Sequence, residues 1–254
     1  MSRVIVLGSC GAWPEPDRAC SGFLVEHEGF RVVLDLGYGT LPRLLSQLGN
    51  EAANGLDAVV VSHHHPDHSI DLHGLFRARS MGAGAGAPAV SLYAPESVVQ
   101  QVESLEEEDD AADVRAVFAW HQLPAEPYEL GPFRLSSWAL PHYVPNAGVR
   151  LEAPGLTIAY TGDSGPDPAL IELARGADLF IAEASEATKS PGAKGANYLA
   201  ADEAARVAES AGAQRLLLTH LWPGSDRAEP ARVARAIFTG EVLVADEGMV
   251  VELG

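Results

Sequence analysis

The sequence predicts a layered α/β protein with a mixed sheet, and three observations lead to that fold class. Short apolar runs rich in Val, Ile and Leu alternate along the chain with turn residues and amphipathic stretches, as strands and helices do. The early runs lie close enough together to form hairpins, which place strands antiparallel. The last third alternates strands with helices, a pattern typical of parallel strands with helical connections.

Each predicted element follows from its own pattern. Apolar runs bounded by Gly, Asp or Asn predict strands at Val4–Leu7, Phe23–Glu26, Val32–Leu34, Ala58–Ser62, Arg134–Ala139, Gly148–Glu152, Leu156–Tyr160, Leu179–Ile181, Leu216–Thr219 and Val242–Val244. Apolar residues at helical spacing predict helices at Leu41–Leu48, Leu72–Arg79, Ser97–Leu105, Ala200–Ala211 and Pro230–Phe238. The segment Met81–Pro88, made almost entirely of Gly and Ala, predicts a mobile surface loop. The acidic run Glu106–Asp110 predicts a solvated helix end or loop.

Length and composition indicate one well-packed domain over residues 1–254. The chain has 47% hydrophobic residues, which is ample for a core and excludes a disordered protein. No linker or internal repeat divides it. The net charge of −18 disfavours nucleic acid as a partner, because binding a phosphate backbone depends on clustered Lys and Arg. A small-molecule substrate is therefore expected.

Two cysteines, Cys10 and Cys20, exclude a scaffold of several disulfides and a four-cysteine zinc site. A pair of reduced thiols is the favoured interpretation, with a single bridge between them as the alternative. The N-terminal residues lack the pattern of a signal peptide, and no segment approaches the roughly 20 apolar residues of a membrane span. We expect a cytoplasmic protein without a membrane partner.

The most informative segment reads Ser-His-His-His-Pro-Asp-His and occupies residues 62–68, directly after a predicted buried strand. Neutral imidazole and carboxylate are the groups that bind Zn²⁺ and similar cations. His63 and His65, as alternate residues, point to one side, while Asp67 and His68 turn toward a second position. Such a loop serves two adjacent ions more easily than one. The alternative, a histidine-rich surface turn, is disfavoured by this spacing.

Further candidate ligands follow other predicted strands. His142 comes after Arg134–Ala139, Asp163 after Leu156–Tyr160, and His220 after Leu216–Thr219. Strand ends are where α/β sheets build their sites. One such residue alone would mean little, but the agreement of three strengthens the metal hypothesis.

The ordered set of ligand motifs resembles that of the metallo-β-lactamase superfamily. These motifs are His63-x-His65-x-Asp67-His68, His142, Asp163 and His220. The resemblance covers nearly the whole chain and implies an αββα four-layer sandwich of two mixed sheets, with a dinuclear metal site at one sheet edge. It also implies two divalent metal ions, with Zn²⁺ favoured and Mn²⁺ or Fe²⁺ as alternatives.

Carried over by resemblance, the first ion would take His63, His65, His142 and Asp163. The second ion would take Asp67, His68, His220 and the same Asp163, whose carboxylate would bridge the two. The nucleophile would be a hydroxide between the ions, with Asp67 as the catalytic residue that orients or deprotonates the attacking water. Asp35 resembles the family's buried Asp that positions a metal-binding loop. A turn-capping role for Asp35 is the alternative.

Within the superfamily, the branch of ribonuclease Z and the cyclic-nucleotide phosphodiesterases is the most similar. The opening turn Leu7–Gly11 and the strand end Leu34–Gly37 resemble those of that branch. Ribonuclease Z carries His-Glu-Ala-Thr and His-Ser-Thr motifs, where this chain has Ala182–Ser185 and Tyr198–Ala200. Two histidines are therefore missing. The interval from His142 to Asp163 is also too short for a tRNA-clamping arm, so pre-tRNA is disfavoured as a substrate.

The leading functional hypothesis is a phosphodiesterase acting on a small phosphodiester such as a cyclic nucleotide. A carboxyl-ester, thioester or lactone hydrolase with the same site is the first alternative, because such leaving groups need less proton donation. A non-enzyme with a structural or sensing metal site is the second. Homodimers are frequent in this branch, which leaves a homodimer open here.

Several other residues have two interpretations each. Tyr198 is either a hydrogen-bond donor to a phosphoryl oxygen or a packed aromatic residue. Trp222, close to His220, either stacks on a nucleobase or packs in the core. The remaining residues weighed are His64, expected to face solvent or substrate, His73 and His121, expected to be ordinary histidines, and Arg150 and Lys194, which are weak candidates for phosphate contacts.

Overall fold

The computed structural model describes residues 2–81, 84–108, 110–190, 193 and 197–254. Within these residues the chain forms two seven-stranded sheets that pack face to face, with helices on both outer surfaces. This is the four-layer αββα sandwich of two mixed sheets that the resemblance to the metallo-β-lactamase superfamily implied.

The first sheet has the strand order β14-β1-β2-β3-β4-β5-β6. Its strands are β1 (Ser2–Gly8), β2 (Gly22–His27), β3 (Phe30–Leu34), β4 (Ala58–Val60), β5 (Val90–Ala94), β6 (Phe118–Gln122) and β14 (Val250–Leu253). Pairing is antiparallel from β14 to β3 and parallel from β3 to β6. The first strand, β1, pairs with the last strand, β14, in this sheet. The single domain over residues 1–254 stays a prediction.

The second sheet has the order β13-β12-β11-β10-β9-β8-β7. Its strands are β7 (Tyr128–Leu130), β8 (Phe133–Leu140), β9 (Asn146–Ala153), β10 (Leu156–Tyr160), β11 (Leu179–Glu183), β12 (Arg215–Thr219) and β13 (Glu241–Val244). Strands β7 to β10 pair antiparallel, and β10 to β13 pair parallel. The change from hairpins to parallel strands is the pattern that the spacing of apolar runs predicted.

Eight helices accompany the sheets within the described residues. They are α1 (Thr40–Leu48), α2 (Pro66–Ser69), α3 (Asp71–Ser80), α4 (Glu96–Glu103), α5 (Ala111–Val117), α6 (Ala169–Ala174), α7 (Ala201–Ala211) and α8 (Ala228–Arg235). Helices α1, α3, α4 and α5 cover the first sheet, and α6, α7 and α8 cover the second. No helix of the described residues is long and apolar enough to cross a membrane.

The central strands are apolar on both faces because each sheet lies between the other sheet and a helical layer. In β12, Leu217 packs into the core between the sheets, whereas Leu216 and Leu218 pack under the helices. Helix α7 faces that outer side with alanines spaced three and four residues apart, namely Ala201, Ala204, Ala205, Ala208 and Ala211. Small side chains on this face let the helix lie close to the sheet.

All predicted strands and helices exist, with ends that shift by a few residues. The sequence analysis missed β5, β6, β7, β14, α2, α5 and α6. Most of these are short, and β6, β7 and β14 are edge strands, which carry a weaker apolar pattern because one side has no neighbouring strand.

Two loop predictions have different outcomes. In the acidic run, the side chain of Glu106 is buried and bonds to His73 and Arg77, so the interpretation as a wholly solvated segment is wrong there. A carboxylate can be buried at this point because the Arg77 guanidinium and a hydrogen bond with the His73 ring offset the loss of hydration. Within the predicted loop Met81–Pro88, residues 82 and 83 lie outside the described residues, as does residue 109 of the acidic run.

Candidate metal centre

The histidine-rich segment joins strand β4 to helix α3 at the edge where the two sheets meet. Strand β4 ends at Val60, and the chain continues extended to His65. Pro66 then begins the short helix α2, a position where its missing N–H costs nothing. This turn buries Asp67 and His68, while His63 points inward from the extended part.

The three downstream residues reach the same place from the second sheet. His142 follows β8, Asp163 follows β10 and His220 follows β12. Just before Asp163, Gly162 has a φ of 57°, and a Cβ on it would lie 2.6 Å from Cβ of Ser62. Only glycine therefore lets this turn approach the histidine-rich segment closely enough.

The structure brings the seven predicted residues into two adjacent groups that share one member. The first group contains His63, His65, His142 and Asp163, and the second contains Asp67, His68, His220 and Asp163. Within each group the candidate ligand atoms all lie within 4.8 Å of one another. These are the same two sets of ligands that the family resemblance implied from the sequence. That these side chains ligate metal remains a proposal.

The outer ring nitrogens of three histidines are engaged by hydrogen bonds that fix the rings. Nδ1 of His142 donates to the carbonyl of Asn197 at 2.8 Å, and Nδ1 of His68 donates to Asp35 at 2.7 Å. Nδ1 of His220 lies 2.9 Å from the hydroxyl of Ser185, which donates to Glu183. Each Nε2 is thereby turned toward the shared centre, the arrangement that metal-binding histidines use.

The centre also holds buried polar atoms without a hydrogen-bond partner. Nε2 of His68 and Oδ1 of Asp163 lie 3.1 Å apart, yet neither makes a hydrogen bond of good geometry. On the other side, Nε2 of both His63 and His142 converge on Nδ1 of His65, at 3.1 and 3.0 Å. These ring nitrogens and the carboxylate oxygen point their lone pairs at one another with too few protons between them. A bound cation would satisfy these lone pairs.

The pKa values of the histidines at the centre depend on the charges of the neighbouring carboxylates and histidines. Burial opposes charge on His68, but Asp163 and Asp67 outweigh it and raise the pKa of His68 well above its usual value. The pKa of His220 rises to about 9 because the same two carboxylates and Glu183 outweigh its burial. Complete burial and the charge on His68 hold the pKa of His63 far below normal. Asp67 and Asp163 thus favour positive charge on the groups between them, whether it comes from protonated histidines or from a bound cation.

Asp35 is a positioning residue rather than a turn cap. It is fully buried and accepts hydrogen bonds from the amide and hydroxyl of Ser62, from Tyr160 at 2.6 Å and from His68. Its backbone has a φ of 58°, a conformation that Asp tolerates better than most residues. One carboxylate thus ties the histidine-rich segment to both sheets and sets the orientation of His68.

We expect Asp35→Asn to weaken Zn²⁺ binding about 10- to 100-fold, as loss of such an outer partner does in other metal sites. An amide cannot accept all the hydrogen bonds that Asp35 now accepts, so the His68 ring loses its fixed direction. Competition with a chromophoric chelator measures the affinity. Asp57→Asn is the control, since Asp57 accepts a backbone hydrogen bond from Arg31 on the exposed surface. Equal Zn²⁺ affinity in both variants would contradict the role of Asp35.

Sequence reasoning missed three partners of the predicted ligands. The backbone N–H of Ala12 donates to Oδ2 of Asp67 at 2.8 Å, and Ala12 has a φ of 61°. The side chains of Glu183 and Ser185 lie behind His220. Burial and the nearby charge of Asp163 raise the pKa of Glu183 to about 8. The only signal for Glu183 and Ser185 was their position in the stretch that replaces a family motif, and Ala12 gave none.

An open cavity of about 540 Å³ lies over the two groups. Besides ligand residues, its lining includes Ala12, Tyr143, Glu186, Tyr198 and Trp222. Both aromatic residues that the sequence left undecided therefore face this cavity, and Trp222 is 46% exposed rather than part of the core. The volume suits a small ligand.

The candidate phosphate contacts and the other histidines weighed in the sequence analysis are not part of the two groups. Arg150 bonds to Glu152 and to carbonyls of Leu173 and Arg175, so it makes no contribution to the cavity. Lys194 lies outside the described residues. Three further histidines that the sequence analysis weighed have partners outside the two groups: His64 bonds to Ser97, His73 to Glu106, and His121 stacks on Tyr93.

Cys10 and Cys20 are free buried thiols in neighbouring strand-like segments. Burial, followed by the charge of Glu247, raises the pKa of Cys10 to about 11. Burial likewise raises the pKa of Cys20. Both thiols therefore stay protonated at neutral pH, in line with the expected reduced pair.

Comparison with known proteins places this geometry in a family context. Residues 30–221 match the Beta-lactamase superfamily domain. The chain is 31% identical over 252 residues to the probable metallo-hydrolase YhfI of Bacillus subtilis, covering 98% of this chain and 99% of that protein. The crystal structure of YhfI, a metallo-beta-lactamase fold protein, matches with a TM-score of 0.86 and 29% identity over 99% of this chain and 100% of that one.

Two further likenesses extend the comparison. A ribonuclease Z of Kineococcus radiotolerans is 28% identical over 292 aligned positions, covering 95% of this chain and 91% of the enzyme. Since the alignment is longer than 254 residues, the enzyme carries segments without a counterpart here. A diphosphatase of the PhnP family shares the fold, with a TM-score of 0.78 at 21% identity over 100% of this chain and 98% of that one.

Proposed function

The chain belongs to the metallo-β-lactamase superfamily and is a metal-dependent hydrolase, and from that premise we propose that it hydrolyses a small phosphodiester such as a cyclic nucleotide. Two divalent cations would be held by the two groups, with Asp163 between them. Imidazole and carboxylate donors suit Zn²⁺, which we propose as the native ion, with Mn²⁺ and Fe²⁺ as alternatives.

The observation that carries the proposal is that Asp163 belongs to both groups. Its Oδ1 lies 3.1 Å from Nε2 of His68, while its Oδ2 lies 3.2 Å from Nε2 of His220 and 3.8 Å from Nε2 of His142. One carboxylate therefore faces both sets of imidazoles. A pair of closely spaced cations is the arrangement used to clamp the oxygens of a phosphoryl group during displacement.

Asp67 is proposed as the catalytic carboxylate. Its Oδ2 is fixed by the N–H of Ala12 at 2.8 Å and by His220 at 3.1 Å. Burial favours the neutral acid, but His68 and His220 outweigh it and hold the pKa of Asp67 below its usual value. The residue is therefore an oriented carboxylate able to align the attacking water or take its proton. Two bound cations supply activation of that water at neutral pH and neutralisation of charge on the phosphoryl oxygens.

Tyr198 is the side chain best suited to assist the leaving group. It lines the cavity, and burial together with the nearby carboxylate of Glu186 raises the pKa of its phenol. The hydroxyl consequently stays protonated at neutral pH and can donate a hydrogen bond to a departing oxygen. It stands in for one of the two histidines that this chain lacks.

The electrostatics of the cavity favour a small substrate over RNA. No Lys or Arg is among the cavity-lining residues that the structure describes. A phosphate backbone needs a row of such side chains, and the net charge of −18 adds repulsion. The name of the ribonuclease Z relative indicates RNA as that protein's substrate, but none of the described lining residues here supplies a cation for an RNA backbone.

A substrate panel tests the proposal. The Zn²⁺-loaded protein is assayed on bis-p-nitrophenyl phosphate, adenosine 3′,5′-cyclic monophosphate, a thioester and a lactone. We expect turnover of the phosphodiesters, loss of that turnover after chelation, and recovery when Zn²⁺ is restored. Metal content is determined on each sample. Turnover confined to the thioester or lactone would replace the phosphodiesterase with the alternative ester hydrolase.

A further inference from the structure

Trp222 lines the cavity, and its ring is in contact with the ring of Trp13. Trp13 is 48% exposed and Trp222 is 46% exposed. Their ring centroids lie 5.7 Å apart with an angle of 82° between the planes, an edge-to-face arrangement. Exposed aromatic side chains that adjoin one another beside a cavity are typical of a ligand-binding surface.

The loops that carry this tryptophan pair are joined by backbone hydrogen bonds. The N–H of Gly11 donates to the carbonyl of Leu221 at 3.1 Å, and the N–H of Leu221 donates to the carbonyl of Ser9 at 3.1 Å. The N–H of Gly224 also donates to the side chain of Glu15 at 2.9 Å. The pair is therefore held in place before any ligand arrives, which lowers the entropy that binding costs.

The same two loops touch the candidate metal centre. A Cβ on Gly11 would lie 2.5 Å from Nδ1 of His220, so this loop fits only because position 11 is glycine. Ala12, the next residue, holds Asp67, and Trp13 follows directly. Trp222 comes two residues after His220. The tryptophan pair is thus attached to residues of the candidate metal centre.

The charge of the cavity wall limits what the rest of the substrate can be. Among the described lining residues, the wall beyond the two groups adds the carboxyl groups of Glu183 and Glu186 and no cationic side chain. None of the described lining residues therefore offers a second phosphate a cationic side chain. Recognition beyond the phosphoryl group therefore depends on aromatic contacts and on hydrogen bonds rather than on ion pairs with Lys or Arg.

We propose that the Trp13–Trp222 pair is the subsite that stacks the base of a nucleotide substrate carrying a single phosphate. This inference rests on the proposed phosphodiesterase function. It adds a binding site for the base, a part of the substrate that the two candidate metal groups would not contact. Stacking on an aromatic side chain is the usual way to bind a base without regard to its hydrogen-bonding edge. The pair then selects base-bearing phosphodiesters over base-free ones.

Calorimetric titration of the Zn²⁺-loaded protein tests the subsite without relying on turnover. The probes are adenosine 5′-monophosphate and ribose 5-phosphate, which share the sugar phosphate and differ at C1′, where one carries adenine and the other a hydroxyl. We expect the nucleotide to bind the wild type about 5- to 100-fold more tightly, the range that one stacked base provides. Trp222→Ala is expected to bind the nucleotide and the sugar phosphate with nearly equal affinity. Trp13→Ala is expected to reduce the difference between the two affinities without abolishing it.

Trp222→Phe serves as the conservative variant, since it keeps a ring and should keep much of the preference. Tyr38→Ala is the matched control, because Tyr38 is an aromatic residue that is 37% exposed on a different surface depression. The metal content of each variant, measured on the same sample, shows that the centre is intact. A second phosphate, as in adenosine 3′,5′-bisphosphate, is expected to add no affinity.

Equal binding of the two probes by the wild type, or no binding of either, overturns the stacking subsite. So does an unchanged preference in both alanine variants. These outcomes are separate from a failure of the proposed function, which the substrate panel reports through the absence of phosphodiester turnover.

Discussion

Replacing Asp163 by alanine is expected to remove both metal ions and to lower kcat/KM for a phosphodiester by at least about 1,000-fold, since several kcal/mol of stabilisation by the cations disappear. The reason is the position of this carboxylate. It is the single residue shared by the two groups, and it lies within 4 Å of imidazole nitrogens in each. Its loss also removes negative charge that the histidines around it require.

The matched variant is His142→Ala. His142 belongs to the first group alone, so this variant is expected to keep about one ion per chain where the wild type holds two. Elemental analysis of chelator-free preparations gives the stoichiometry, and circular dichroism shows whether the fold persists. Two retained ions in Asp163→Ala, with the fold intact, would show that Asp163 does not bridge the groups.

Replacing Asp67 by alanine is expected to lower kcat for bis-p-nitrophenyl phosphate by about 100- to 10,000-fold, the range for loss of a positioned proton acceptor. The side chain is only slightly exposed, and its oxygen is aligned by the N–H of Ala12 and by His220. Asp67→Asn keeps an oxygen that can accept from Ala12 but cannot take a proton. A similar loss in both variants would therefore identify proton transfer, rather than positioning alone, as the role.

Asp71→Asn is the control for this variant, because Asp71 is nearby on α3 but bonds to the first turn of α1, at the N–H of Leu41. It should retain activity and metal. Metal content separates loss of the carboxylate as a base from loss of the second ion. Full activity in Asp67→Ala would remove Asp67 from the mechanism.

The fold and the ligand set were accessible from sequence for the same reason. Strands that are buried on both faces appear in the sequence as continuous apolar runs. Strands that run in the same direction end at the same edge of a sheet. Residues that end such runs, such as His142, Asp163 and His220, can thus be found in the chain without coordinates. Edge strands β6, β7 and β14 were missed because half of their surroundings is solvent or loop, which leaves little periodic signal.

The roles of single side chains needed the tertiary structure. Asp35 could have capped a turn or positioned a ligand, and the choice depended on Tyr160 and His68, which lie 125 and 33 residues away along the chain. Glu106 belongs to a run that looks solvated, yet its burial depends on His73 and Arg77 of α3. Local patterns carry no information about such partners, because side-chain contacts are set by the packing of distant elements.

The sequence by itself determined the family, the layered architecture and the seven residues of the candidate metal centre, because apolar periodicity and the order of ligands are properties of the chain. Only the tertiary structure decided which nitrogen of each histidine faces the centre, that Ala12 holds Asp67, and that Trp13 meets Trp222. Those contacts depend on loops 9–15 and 220–224 lying side by side. Residues more than 200 positions apart become neighbours only when the two sheets pack together, and that packing is a property of the whole molecule.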